Sequence, residues 1–400
     1  MFMMSLIAVG VLCVAACSDS AGTKKTNEDP TDEATAARRA ALESIAQRVI
    51  LTTYNNAANS AQTLEQAATA WAAAPNDAAK HDAARAAWRE AIAAWQQAEL
   101  LQLGPAGDMG ETVGAEGIRA EIYSWPLVNR CRVDQEIVTK KYEDEAAFGT
   151  LPINVRGLDA LEYLLFFDGT TNACAPNAAI NAQGLWAAIP AAELPARRAT
   201  YARTLARDLV KHTSALKAAW AADGGGFVTQ LTTAGSGSMT YPSTQEALNA
   251  ISDAMFYLDK EVKDMKLARP AAIMGCETDC ASFLESSYAD ASAAHLLNNL
   301  RGFRAVYHGG DRKDPEARGF DDLLRGVGAA ALADKMDADI EAAIVAIEAI
   351  GPSMRMTLDS NPEKIVAAHT AVRKITDSLK TEFVAVLDLE LPKRAEGDND

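Results

Sequence analysis

Apolar positions recur every three to four residues along most of this 400-residue chain, with polar and charged side chains filling the opposite faces, which is the pattern of amphipathic helices. The spacing predicts helices over roughly 32–57, 59–74, 77–102, 156–167, 193–222, 244–266, 288–306, 319–349 and 363–388. Alternation of the strand type never persists beyond about five residues. Abundant alanine and scarce β-branched runs point the same way, so the fold class read from the pattern is all-α. Local end signals agree: Ser243-Thr244-Gln245-Glu246 has capping-box spacing, Asn361-Pro362-Glu363 sets a capping residue before a proline, and Asp223-Gly224-Gly225-Gly226 ends the helix over 193–222.

The main interruption is 223–243, DGGGFVTQLTTAGSGSMTYPS, rich in Gly, Ser and Thr. It divides the chain into helical halves at 36–222 and 244–392, followed by a tail at 393–400 that reads as disordered. Antiparallel bundles let such helices bury their apolar stripes, so two packed helical bundles are expected. The same interruption also reads as a long functional loop within one domain.

The chain start adds a compartment. MFMMSLIAVGVLCVAACSDS carries an apolar run of signal-peptide length, too short and wrongly flanked for a membrane span, although no Lys or Arg precedes it. Val14-Ala15-Ala16-Cys17 resembles the bacterial lipobox, so residues 1–16 are read as a lipoprotein signal peptide and Cys17 as the lipidated anchor. Ser18, rather than Asp, after the cysteine favours the outer membrane, and 17–35 reads as a flexible tether into the periplasm.

The net charge of −16 excludes nucleic acid as a partner, because phosphate recognition needs clustered Lys and Arg. Six cysteines are present, and Cys13 leaves with the leader. In an oxidising compartment the remaining Cys131, Cys174, Cys276 and Cys280 are expected to form disulfides. Their contexts favour Cys131 with Cys174 (NRCRVD and TNACAPN) and Cys276 with Cys280 (GCETDC), against a four-cysteine zinc site with no matching second pair.

Candidate chemistry begins with an absence of familiar motifs. The five histidines make no i+3 or i+4 pair and no His-Glu-x-x-His, and there is no Gly-x-Ser-x-Gly, P-loop or dinucleotide fingerprint. Three stretches remain. In RGLDALEYLLFF, 156–167, Asp159 and Glu162 fall on one helical face with Cβ atoms about 5–6 Å apart. Leu158, Leu161, Leu164, Leu165, Phe166 and Phe167 wrap that helix, so it is buried on most sides and its acids need pairing, protonation or a metal. The simpler reading is two acids favoured by the positive end of a helix dipole. In FLESSYADASAAHLLNNLRGFRAVYHG, 283–309, Glu285, Ser286 and Asn298 offer polar groups inside a partly apolar helical stretch; simple capping and solvation explain them equally well. In AWREAIAAWQQAELLQLGPAG, 87–107, Trp88 and Trp95 lie seven apart and read as core, with Glu99 one turn further on.

Taken in order, these stretches resemble the imelysin-like family of bacterial periplasmic proteins and lipoproteins. Its hallmark is Gly-x-His-x-x-Glu followed by an aromatic residue and leucines; Gly157, Glu162 and Tyr163-Leu164-Leu165 match, and Asp159 stands in the histidine's place. The Trp-rich helix ending in Gly104-Pro105, IYSWP at 122–126 and the LESSYADAS…NNLRGFRAVYHG segment add to a likeness over roughly 37–390. The resemblance implies two four-helix bundles joined face to face, a site near their junction, and a link to bacterial iron acquisition.

It also brings a peptidase label, but zinc prefers imidazole or thiolate, and Asp159 removes the motif histidine. Two oxygen donors suit harder cations such as ferric iron or calcium; the same pair could accept hydrogen bonds from a polar ligand or from Arg156. The expectation is therefore a lipid-anchored, non-enzymatic binding or accessory protein of iron uptake. It would hold iron or another divalent or trivalent cation through some of Asp159, Glu162, Glu99, Glu285, Ser286 and Asn298, with iron-uptake proteins and the membrane as partners. The alternatives are a metallopeptidase using Glu162 as metal ligand or general base, and a structural envelope protein that binds a partner at the bundle junction.

Overall fold

The computed structural model describes residues 32–392; the expected signal peptide, Cys17, Ser18, the expected tether up to residue 31 and the tail at 393–400 lie outside the described residues. Among the described residues the chain is helical with no strand, in agreement with the all-α expectation.

The first helical run is longer than its periodicity suggests. Helix α1 (Asp32–Ser44) passes through a π-helical stretch, Ile45–Ile50, directly into α2 (Leu51–Ala73). Helix α3 (Ala78–Ala98) begins at Asp77, whose carboxylate accepts a hydrogen bond from the Lys80 amide at 3.2 Å. After the short α4 (Ile118–Ile122) and α5 (Arg130–Thr139) come α6 (Gly157–Phe166) and the long α7 (Leu194–Trp220), which opens with a proline in its first turn. Helices α2, α3, α6 and α7 pack on one another around Trp71, Trp88, Trp95 and Trp220, all fully buried.

Helix α8 (Thr244–Met255) starts where the capping box predicts, with the Ser243 hydroxyl accepting from the Glu246 amide at 3.1 Å. The expected continuous helix over 244–266 then changes register, and a π-helical segment covers Leu258–Ala268. Helix α9 (Ser292–His308), α10 (Phe320–Gly326), α11 (Ala330–Glu348) and α12 (Glu363–Ser378) are the main helices that follow, with shorter ones between and after them; α10 and α11 are separated at Gly328, whose φ of +83° ends the first of them. Helices α9, α11, α12 and the π-helical segment pack together, and α1 lies against α8 and α10 of this second group.

The groups meet chiefly along α3 and α9. Gly302 of α9 makes that contact close: a Cβ there would stand 2.4 Å from the Gln97 carbonyl oxygen. Two disulfides brace the loops around this junction, Cys131–Cys174 and Cys276–Cys280, leaving none of these four sulfurs as a thiolate ligand.

Candidate functional site

A cavity of about 390 Å³ opens beside the junction and is lined by Asp159 and Glu162 from α6, by Arg130 and Cys131 from α5, and by Ser286 with its neighbours from the 282–286 loop. Helix α6 brings its acids there because its start is fixed from outside. Gly157, at φ +78°, sits so close to α4 that a Cβ would lie 2.7 Å from the Ile122 carbonyl oxygen. The motif glycine is thus the one residue type that fits the entry to this helix. A 3₁₀ turn over Ile153–Val155 precedes it, so Asp159 lies in the first turn of α6 and Glu162 one turn on.

Both acids are buried, 4% and 5% exposed. Asp159 Oδ2 accepts from the Ser124 hydroxyl at 3.0 Å and Oδ1 from the Ala160 amide at 3.1 Å. Glu162 Oε1 accepts from the amides of Tyr288 and Ala289, both at 2.9 Å. No partner among the described residues engages Glu162 Oε2. Burial pushes both carboxyls up to about 7, because the ionised form loses its hydration; the hydrogen bonds oppose the rise without cancelling it. Near neutral pH each acid is therefore poised between its protonated and charged forms.

The other candidates divide. Ser286 lines the cavity at φ +50°, and its Oγ lies 2.8 Å from His295 Nε2. This contact does not make a serine nucleophile with its base: burial, reinforced by Lys266, lowers His295 to about 3, leaving it neutral and weakly basic at pH 7. Glu285 and Glu99 stand behind the cavity wall on a buried lysine. Lys266 Nζ lies 3.0 Å from Glu285 Oε1, 3.1 Å from Glu99 Oε2, 2.8 Å from Gln96 Oε1 and 3.0 Å from Asn299 Oδ1. Tyr123 donates to Glu285 Oε1 at 2.7 Å, and Arg119 pairs with Glu99 Oε1 at 3.0 Å. Asn298 accepts from Gln97 at 3.1 Å on the α3–α9 face and does not line the cavity.

Lys266, Gln96, Arg119 and Ser124 are partners of the candidate residues that the motifs do not reveal. For Lys266 a signal exists: it follows Leu258 and Val262 at four-residue steps, which sets a lysine on the apolar face of its segment. Arg156 is not the cation of the acid pair; its guanidinium lies 2.5 Å from Glu121 Oε2 and 3.5 Å from Asp208 Oδ2. Glu121, Asp208 and His212 could by geometry surround a metal, with ligand atoms all within 4.8 Å, but Arg156 already supplies their positive charge.

The charged donors at the cavity are carboxylate oxygens; the imidazole of His295 is turned to Ser286, the cysteine sulfurs are in disulfides, and the one other sulfur in the lining is the Met265 thioether, a set whose chemistry leans to a hard cation. No described helix is long and apolar enough to cross a membrane.

The chain is 25% identical over 351 residues to iron-regulated protein A of Synechococcus elongatus, a match covering 86% of each sequence. Its fold is shared with an iron-regulated protein A precursor from Parabacteroides distasonis (TM-score 0.68, 20% identity, 90% of this chain and 96% of that one). It is shared too with an imelysin-like protein from Psychrobacter arcticum (TM-score 0.67, 15% identity, 90% and 98%). The peptidase-labelled family model described as Imelysin matches residues 50–381, so the chain belongs to the imelysin family.

Proposed function

We propose that this protein is a non-enzymatic, lipid-anchored periplasmic component of iron uptake, and that Asp159 and Glu162 hold a hard cation in the junction cavity. The observation that carries the reading is the acid pair itself: two buried carboxyls raised to about 7, facing one cavity, with Glu162 Oε2 unengaged among the described residues. A cation would displace their protons and supply the charge that burial otherwise opposes. The iron connection rests on the name of the Synechococcus relative, and the anchor on the lipobox ending at Cys17.

Calorimetry with iron, zinc, calcium and haem, comparing wild type with Asp159→Asn/Glu162→Gln, tests the site. Binding of iron lost in the variant is expected; no metal or haem binding, with normal growth of a deletion strain under iron limitation, would sink the reading. A second reading, a metallopeptidase, draws on the same raised Glu162, since a carboxyl near 7 is suited to general-base work at neutral pH. Chelator-sensitive proteolysis abolished by Glu162→Gln would establish it, and a clean negative with added metals would remove its support.

A further inference from the structure

The cavity holds more than an ion needs. At about 390 Å³ it falls in the range of small-molecule sites, while a single water occupies about 30 Å³ of liquid. An octahedral cation takes six oxygens. Asp159 and Glu162 offer at most four oxygens, three of which also accept hydrogen bonds, so part of the coordination shell must come from elsewhere.

Two guanidiniums line the same space. Arg130 and Arg269 make no ion pair with a carboxylate among the described residues, unlike Arg48, Arg85, Arg119 or Arg156. Arg130 reaches only the Ser287 hydroxyl, at 3.3 Å, and its guanidinium lies 4.8 Å from the Tyr288 ring centre. Arg269 lies 3.6 Å from the centre of the Phe283 ring, and its buried Nε has no hydrogen-bond partner. Stacking holds each fork in place, and a guanidinium fork matches a carboxylate with two parallel hydrogen bonds. A bare cation would be drawn by the acids and repelled by these arginines.

We infer that the cavity takes its cation as an anionic chelate, a metal–hydroxypolycarboxylate complex whose metal faces Asp159 and Glu162 while the chelator's carboxylates sit on Arg130 and Arg269. The inference rests on the cation-binding reading above and names the form in which the cation arrives.

The test is equilibrium dialysis of the full chain against doubly labelled ferric citrate, with iron from a second, nitrogen-containing chelator as comparison. Wild type is expected to retain iron and citrate in equal amounts. Arg130→Gln/Arg269→Gln is expected to lose both by about tenfold or more, the scale of one charge-assisted hydrogen bond, at an unchanged melting temperature. Iron retained without citrate, or undiminished in the arginine variant, overturns the chelate and leaves the cation site standing. No iron retained from either donor overturns both. Should the arginine variant fail to fold, the ratio of iron to citrate on wild type still decides.

Discussion

Neutralising the two cavity acids should flatten the pH dependence of stability. Raising Asp159 from its ordinary 3.8 to about 7 disfavours its ionised form by about 4 kcal/mol, and raising Glu162 from 4.5 to about 7 does so by about 3 kcal/mol. The sign follows from where the protons sit. Between about pH 4 and 7 the folded chain holds protons that the unfolded chain has released, so stability falls as pH rises through this window and is level outside it. In Asp159→Asn/Glu162→Gln that dependence is gone, while every other titrating group remains. Urea midpoints measured from pH 5 to 8 should show the variant gaining on wild type by several kcal/mol, with the largest part between pH 5 and 7. Any fixed penalty of placing two amides in the site is the same at every pH and cancels in the difference. Parallel curves for the two proteins would refute the argument, because they would mean the acids ionise in the fold as easily as in water.

Glu162→Ala should destabilise by about 2–4 kcal/mol, since the Tyr288 and Ala289 amides lose their acceptor; Glu162→Gln keeps that acceptor, and a thermal melt should separate the two. Lys266→Met should cost about 3–5 kcal/mol in chemical unfolding by leaving Glu99 and Glu285 buried against an uncharged group, and a smaller loss would mean that the Arg119 and Tyr123 contacts suffice. Gly302→Ala should cost about 1–3 kcal/mol by forcing α9 off the Gln97 carbonyl, seen as a lower melting temperature, and an unchanged melt would show that the junction can open without strain.

Much of the fold was legible from the residues alone, for physical reasons that also mark where reading stops. Helices α3 and α7 carry long apolar stripes and local end signals, and nothing distant is needed to specify them. The helix expected over 288–306 starts later, at Ser292, because the chain before it is held in a turn by Glu162, 126 residues away from Tyr288. The π-helical segment after α8 has the same apolar spacing as an α-helix to within one residue, so its periodicity does not betray it. At the site, Asp159 and Glu162 stood out because acids are rare on a helix apolar all round. Arg130 and Arg269 did not, since an unpaired arginine in a loop-flanked position reads like any surface charge until the cavity is seen. Glu99 and Glu285 were picked out only as acids in partly apolar helical stretches; their burial is explained by Lys266, on a segment remote in the chain from Glu99.

The aspartate in the motif histidine's place bears on the charge of the whole cavity. Among the described residues, Asp159, Glu162, Arg130 and Arg269 are the charged groups that line it. With both acids ionised the wall is neutral; with both protonated it is doubly positive. A histidine at position 159 would remove one negative charge and leave a wall with a standing positive excess. The aspartate restores the balance, but balance alone does not favour a bare ferric ion, which would add three positive charges to a half-enclosed space. An ion that brings its own carboxylates adds little net charge, so neither the acids nor the arginines are left facing an uncompensated group. In this cavity the aspartate and the two arginines therefore act on the same ligand: oxygen in place of imidazole suits a hard cation, and the guanidiniums suit the anion that carries it.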